Sequence, residues 1–208
     1  INSYYKAIFK NKIKITSMNF KKAFSSRFIN NIYLDSYNLS NYNDNINGEQ
    51  MRKKIRIRWY GDFFGKINGS LEIKERKGSL IKKTTKDFPS FYFNKNKSLN
   101  ELHKIIKSDF KNINEAPSII NRYRREYFIS KDNRFRITLD DSQMISNPRN
   151  IYFMKSLDPI HEKVIVEIKF SPESFKYVNH LTNDLNLRVT KNSKYSNSVR
   201  ALAQYGYT

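Results

Sequence analysis

Four short segments alternate charged and apolar residues with a period of two. KIRIRWYG (54–61) sets Lys54, Arg56 and Arg58 against Ile55, Ile57 and Trp59. LEIKERKG (71–78) sets Glu72, Lys74 and Arg76 against Leu71 and Ile73, with Glu75 out of pattern. FRITLDD (135–141) sets Arg136, Thr138 and Asp140 against Phe135, Ile137 and Leu139, and VIVEIKF (164–170) sets Glu167 and Lys169 against Val166, Ile168 and Phe170. Side chains alternate between the faces of a strand, so each segment predicts a strand with one apolar and one charged face. A solvated sheet face usually mixes Lys, Glu, Thr and Ser. Here the charged face favours Arg and Lys, with single carboxylates at chosen points. Strands of this kind, closed into a barrel with the charged face inward, would enclose a cationic tunnel suited to a polyphosphate chain.

The overall charge points the same way. The chain of 208 residues carries 39 Lys and Arg against 19 Asp and Glu, a formal net charge of +20. A solvated basic surface is the plain explanation. A polyanion partner (nucleic acid, an anionic membrane or polyphosphate) explains better why so large a self-repulsion is kept. The length fits one domain that buries roughly 70% of the surface its unfolded chain would expose. There is no cysteine, which excludes disulfides, a thiolate nucleophile and a Cys-based zinc site. No apolar run approaches the ~18 residues that mark a membrane-spanning helix, and no signal-peptide pattern opens the chain, so a cytoplasmic domain is expected. The opening residue is Ile1 rather than Met, which reads as a fragment truncated at its N-terminus.

The remaining elements follow from breakers and caps. Helices are expected over 3–10 and near 19–25, then a strand over 28–35 and a turn or short helix over 37–44. Strands are expected at 53–60, 69–77 and 80–88, the last stopped by Pro89. Ser98, with Glu101 three residues on, predicts the N-cap of a helix over 99–109. Further strands fall at 119–129, 134–141, 150–155 and 163–170. Pro172 at a first helical position opens a helix to about Leu185, and a last strand lies near 187–191. Strands so evenly spaced predict a barrel or sandwich with packing helices.

Arg56 and Arg58 lie two apart on one strand face, and the planar guanidinium matches phosphate oxygens better than the Lys of a generic surface. Lys74 beside Glu72 reads first as a surface pair, and Arg136 with Asp140 is ambiguous on its own. Glu167 followed by Lys169, on a strand whose other face is apolar, is either an ion-pair partner or a ligand for Mg²⁺ or Mn²⁺. His103, His161 and His180 read as packing or surface residues. No Walker loop, Rossmann fingerprint, HExxH or nucleic-acid-reader signature is present.

Seven motifs in order carry a family resemblance: IYLDSYNLSNY (32–42), KKIRIRWYG (53–61), LEIKERKG (71–78), RYRREYF (122–128), RITLD (136–140), VEIKF (166–170) and VTKNSKY (189–195). Together they resemble the VTC domain, the polyphosphate polymerase domain of the vacuolar transporter chaperone group. That domain belongs to the CYTH-like triphosphate tunnel metalloenzymes. The resemblance implies an α+β fold, mainly antiparallel, closed as a β-barrel around a triphosphate tunnel. It implies catalytic and phosphate-binding roles for Arg56, Arg58, Lys74, Arg125 and Arg136. Lys191 and Lys194 join them as phosphate ligands, while Glu167, also given a catalytic role, and less strongly Glu72, would bind the metal. It further implies a strand upstream of Ile1, absent from this fragment.

The activity so implied is metal-dependent phosphoryl transfer, with Mn²⁺ or Mg²⁺ as cofactor, ATP as donor and polyphosphate as product. The partners expected are ATP, triphosphate and polyphosphate, with no specific nucleic acid. An inorganic triphosphatase of the same fold and a non-catalytic polyanion-binding module remain as alternatives.

Overall fold

A computed structural model of the chain describes residues 1–94, 98–148, 150–156 and 163–204. Eight strands run β1 (Lys21–Asp35), β2 (Met51–Tyr60), β3 (Gly65–Lys77), β4 (Leu80–Phe93), β5 (Ala116–Ile129), β6 (Phe135–Asn147), β7 (Asn150–Ser156) and β8 (Ile165–Phe170). The helices are α1 (Lys6–Ile15), α2 (Ser40–Asn47), α3 (Ser98–Asp109), α4 (Val178–Asp184) and α5 (Lys194–Gln204). The fold is therefore α+β. Strand pairing follows the order β4-β3-β2-β1-β5-β6-β7, and β8 also pairs with β6. The β1–β2, β2–β3, β3–β4, β6–β7 and β6–β8 pairs are antiparallel.

The expected closed barrel is not formed: among the described residues no pairing joins β4 to β7, and the sheet stays open. The sequence of β4 gives the reason. It contains Pro89, which lacks an N–H and is tolerated at sheet edges and bulges. The register against β3 jumps there, from Gly69↔Phe88 to Ile67↔Phe91, so two residues oppose one. The strand does not stop at Pro89 as expected but bends through the bulge to Phe93. Lys82, Lys83 and Lys86 line the same strand, a composition that discourages further edge pairing.

Two other expectations are corrected. Residues 19–25 are not a helix: Asn19, at φ 48°, turns the chain out of α1 directly into β1. Residues 187–191 form no strand, and the polar run after them winds into the unforeseen α5. The helix expected over 99–109 is present as α3; the side chain of Ser98, its expected cap, lies outside the described residues, as does His161.

The chain forms two compact units, one of Ile1–Arg27, Tyr123–Gln143 and Asp158–Asn192, the other of Phe28–Arg122, Met144–Leu157 and Ser193–Thr208. Strands β1, β5 and β6 contribute residues to both. In the second unit the apolar face of β1–β4, with Ile32, Ile55, Ile57, Trp59 and Leu71, is buried beneath Leu102 and Ile106 of α3. This is the parity read from KIRIRWYG. On the opposite face α5 packs Tyr195, Val199 and Leu202 onto Tyr33, Ile119 and Ile145. In the first unit Phe9 and Ile13 of α1 and Leu181 of α4 close over Phe128, Phe135, Ile137 and Leu139.

Candidate functional site

The charged face of the second unit is built on β2. Strand register sets Arg56 directly opposite Glu72 on β3 and opposite Tyr33 on β1, while Arg58 lies opposite Asn31. Arg56 grips one Glu72 oxygen through Nε at 2.9 Å and Nη2 at 2.5 Å, and its Nη1 reaches the Tyr33 hydroxyl at 3.4 Å. Arg58 is almost wholly buried, with Nε donating to Asn31 Oδ1 at 2.8 Å and Nη1 3.8 Å from Glu72. Lys83 of β4 stands 3.3 Å from the other Glu72 oxygen.

Three cations thus surround one carboxylate. Burial alone would raise the Glu72 pKa, but Arg56 first, then Arg58 and Lys83, bring it down to about 2. Glu72, expected as a weaker metal ligand, has both oxygens in contact with these cations. A face whose single anion is outnumbered keeps a net positive field at a partly desolvated floor, where charge-assisted hydrogen bonds to added phosphate oxygens are strong.

Lys74, the next charged residue on β3, is exposed and faces Lys54 across the strand pair. Lys54 donates to Ser193 Oγ at 2.9 Å. Ser193 also accepts from the Ser196 amide at 3.3 Å, so the same hydroxyl caps α5. Burial first, then Lys74, Arg52 and Arg56, lower the Lys54 pKa to about 8. Lys194 begins α5 in this unit, half-buried. Two motifs of the sequence meet beside it. Asp35 of IYLD receives the amides of Asn41 and Tyr42 at 3.0 Å each and the hydroxyl of Tyr195 from NSKY, whose ring stacks on Tyr33 at 4.9 Å. Asp35 and Tyr195 of these motifs therefore fix α2 and α5.

In the first unit Arg125 of β5 makes a bidentate pair with the fully buried Asp140, at 2.5 Å and 2.7 Å, and reaches Glu167 at 3.5 Å. Burial opposes the charged guanidinium, yet its hydrogen bonds to Asp140 raise the Arg125 pKa above its ordinary value. Glu167 of β8 is about two-fifths exposed and also lies 3.5 Å from Lys169. Across the strand pair it faces Thr138, whose buried Oγ1 has no hydrogen-bond partner. Arg136 lies one row further along, opposite Lys169, and is exposed; Lys191 is exposed in the irregular segment before α5.

Among the described residues no group of three or more His, Asp or Glu gathers at one point. The Glu167 carboxylate and the orphaned Thr138 hydroxyl are nevertheless adjacent oxygen donors. They fit a hard divalent cation of the kind that takes one carboxylate and completes its shell with phosphate oxygens and water.

The structure thus brings Arg56, Arg58 and Glu72 together in one unit, with Lys74 on the same face. It brings Arg125 and Glu167 together in the other. Sequence reasoning placed Lys54 on the charged face without a role, and passed over Asn31, Tyr33, Lys83 and Ser193. Register parity with Arg56 and Arg58 could have found Asn31 and Tyr33; Lys83 and Ser193 depend on long-range placement.

The chain matches the family model of the VTC domain over residues 2–203 and so belongs to the VTC domain family, in keeping with the CYTH-like grouping expected from its motifs. This family is associated with polyphosphate polymerase activity, which makes a polyphosphate-related function the coarse reading for the chain. No curated protein matches it.

Proposed function

We propose that the protein is a metal-dependent phosphotransferase that binds the triphosphate of ATP through Arg56 and Arg58 and lengthens a polyphosphate chain. The observation that carries the reading is the Arg56–Glu72–Arg58–Lys83 arrangement, in which a carboxylate below its ordinary pKa is outnumbered by cations. In the reaction a terminal oxygen of the acceptor chain bonds to the γ-phosphorus as the bond from that phosphorus to the β–γ bridging oxygen breaks. ADP leaves, and the chain is one phosphate longer. Arg56 and Arg58 hold phosphate oxygens and offset the charge that shifts between them in the transition state.

Lys74 and Lys194 add phosphate contacts in the same unit. Arg125, Arg136 and Lys191 are the cations that the family motifs assign on the other. Arg125 also orients Glu167 through their 3.5 Å contact. Glu167, with Thr138 beside it, would hold Mn²⁺ or Mg²⁺, and a bound cation of this kind neutralises charge on phosphate oxygens. No helix among the described residues is long and apolar enough to cross a membrane.

The test is incubation of the protein with ATP and Mn²⁺, resolving phosphate chains on a gel and assaying free phosphate in the same tube. Chains together with ADP are expected, and Glu167→Gln should abolish them while leaving metal-free triphosphate binding intact. Phosphate without chains would replace the polymerase by a triphosphatase. Neither product from folded protein would leave only polyanion binding.

A further inference from the structure

Helix α1 is apolar on two sides at once. Phe9 and Ile13 face the core of the first unit, with Phe128, Phe135 and Leu139. Tyr4, in the turn that leads into the helix, lies four residues before Ile8, and Ile15 seven residues after it. At about 3.6 residues per turn these three share a face, roughly opposite Phe9 and Ile13. That face meets solvent: Tyr4 is 86% exposed, Ile8 57% and Ile15 82%. Single exposed apolar residues are ordinary, but three in line along one helix make a patch, and such patches mark interaction surfaces. The charges of the helix sort in the same way. α1 carries Lys6, Lys10, Lys12 and Lys14 and no acidic residue. Lys6 bonds Glu126 at 2.5 Å and also Asp141, Lys10 bonds Glu126 at 2.8 Å, and Arg124 holds Asp141 at 2.9 Å. Both carboxylates are buried, so these contacts fix the roll of the helix and keep its apolar stripe outward. Lys12 and Lys14 are exposed and make no ion pair among the described residues. Helical spacing sets one of them on each side of the stripe.

We infer that the outer face of α1 docks the protein on an anionic lipid surface, lying in the headgroup layer without crossing it. Ile8 and Ile15 enter the boundary of the acyl chains, and the amphipathic ring of Tyr4 sits at headgroup level. Lys12 and Lys14 lay their stems along the apolar stripe and carry their ammonium groups to lipid phosphates. Charge selects this occupant over a second copy of the chain. A helix with no carboxylate offers its own copy nothing to pair with, and two chains of net charge +20 repel. All these residues belong to the first unit, whereas Arg56 and Arg58 belong to the second. Lipid docking and phosphate binding are therefore separable by mutation.

The test is co-sedimentation of the full chain with vesicles of phosphatidylcholine alone and of a two-to-one mixture with phosphatidylglycerol. The protein is expected to pellet with the mixed vesicles and to stay in solution with the neutral ones. Ile8→Gln/Ile15→Gln keeps every charge and should weaken partitioning by at least about tenfold. Lys12→Gln/Lys14→Gln should weaken it by about tenfold at low salt, a difference that high salt removes. The four side chains are exposed, so both variants should melt with the wild type. Arg56→Gln/Arg58→Gln should partition as the wild type does. Because the chain has no cysteine, Asn11→Cys, on the same exposed side, takes a single environment-sensitive dye, whose emission should shift to the blue on the mixed vesicles. No pelleting with the mixed vesicles overturns the docking. Equal partitioning of Ile8→Gln/Ile15→Gln and the wild type, or an unshifted dye, reduces any binding to attraction of net charge and overturns it as well. Loss in Arg56→Gln/Arg58→Gln alone would move the lipid contact to the phosphate site. Self-association of the wild type in sedimentation velocity, lost in Ile8→Gln/Ile15→Gln, would assign the stripe to a second copy and overturn the lipid occupant.

Discussion

Arginine meets carboxylate at the candidate residues of both units, but in opposite proportions. In the second unit Arg56, Arg58 and Lys83 share the single carboxylate of Glu72. In the first, Arg125 faces two, the buried Asp140 and the partly exposed Glu167, which Lys169 also approaches to 3.5 Å. The same pair of residue types therefore does different work. An excess of cations around a buried anion leaves a receptor for further negative charge. Two carboxylates on one buried guanidinium lock the arginine, and the partly exposed Glu167 keeps room for a cation. Residue identity alone does not separate these cases; the count of partners does.

The largest effect that would break this comparison is on stability. Asp140→Asn removes the bidentate partner of a buried guanidinium and should cost about 3–5 kcal/mol, read as a lower denaturant midpoint at unchanged slope. Glu72→Gln should cost only about 1–2 kcal/mol, since Arg56 and Lys83 retain access to water. A larger loss at Glu72 than at Asp140 would reverse the assignment of the two clusters. The Glu72 contribution should also carry a pH signature. Its folded pKa, about 2, lies below the ordinary value of 4.5. The stabilisation is therefore present above pH about 4.5 and is lost as the pH falls toward 2, and the Gln variant should lack that loss.

A smaller effect sharpens the same contrast through binding. Glu72→Gln should bind tripolyphosphate up to about tenfold more tightly, because the cations no longer exchange a resident carboxylate for phosphate. Calorimetry at fixed ionic strength measures this directly, and weaker binding would show Glu72 to be an organiser of the site rather than its resident counter-ion. The smallest effect is at Lys54. Burial and its cationic neighbours bring its pKa to about 8 from 10.5. The folded protein thus binds this proton less tightly than the unfolded chain, so the cost of charging Lys54 is present below pH 8 and is relieved as the pH rises toward 10.5. Anion binding should run the other way, weakening by about two- to threefold between pH 7 and 9 as the charge is lost. Lys54→Arg should flatten that profile.

Much of the positioning was legible in the sequence because strand parity is local. KIRIRWYG places Ile55, Ile57 and Trp59 in the core and Arg56 and Arg58 on the other face, and the structure does the same. Closure was not legible. Whether β4 finds a partner at the far edge depends on the bulge at Pro89 and on pairings between residues distant in sequence, and the strand pattern of a barrel is shared by an open twisted sheet. The state of Glu72 was hidden for a related reason. Its Arg56 partner was visible from the alternation, but Lys83 approaches from a strand whose register the bulge resets further along. Lys54 and Ser193 are 139 positions apart, and nothing local signals their contact. The conversion of 194–204 into α5 follows from Tyr195, Val199 and Leu202 packing on the sheet, whereas the preceding VTKNS gives no helical period.

The central claim is that Arg56 and Arg58 form a phosphate receptor that acts independently of metal. The most direct measurement is titration of tripolyphosphate into metal-free wild-type protein and into Arg56→Gln/Arg58→Gln, each shown by circular dichroism to be folded. The account predicts saturable binding by the wild type and a loss of at least about tenfold in the variant. Equal affinity in the two proteins would contradict it.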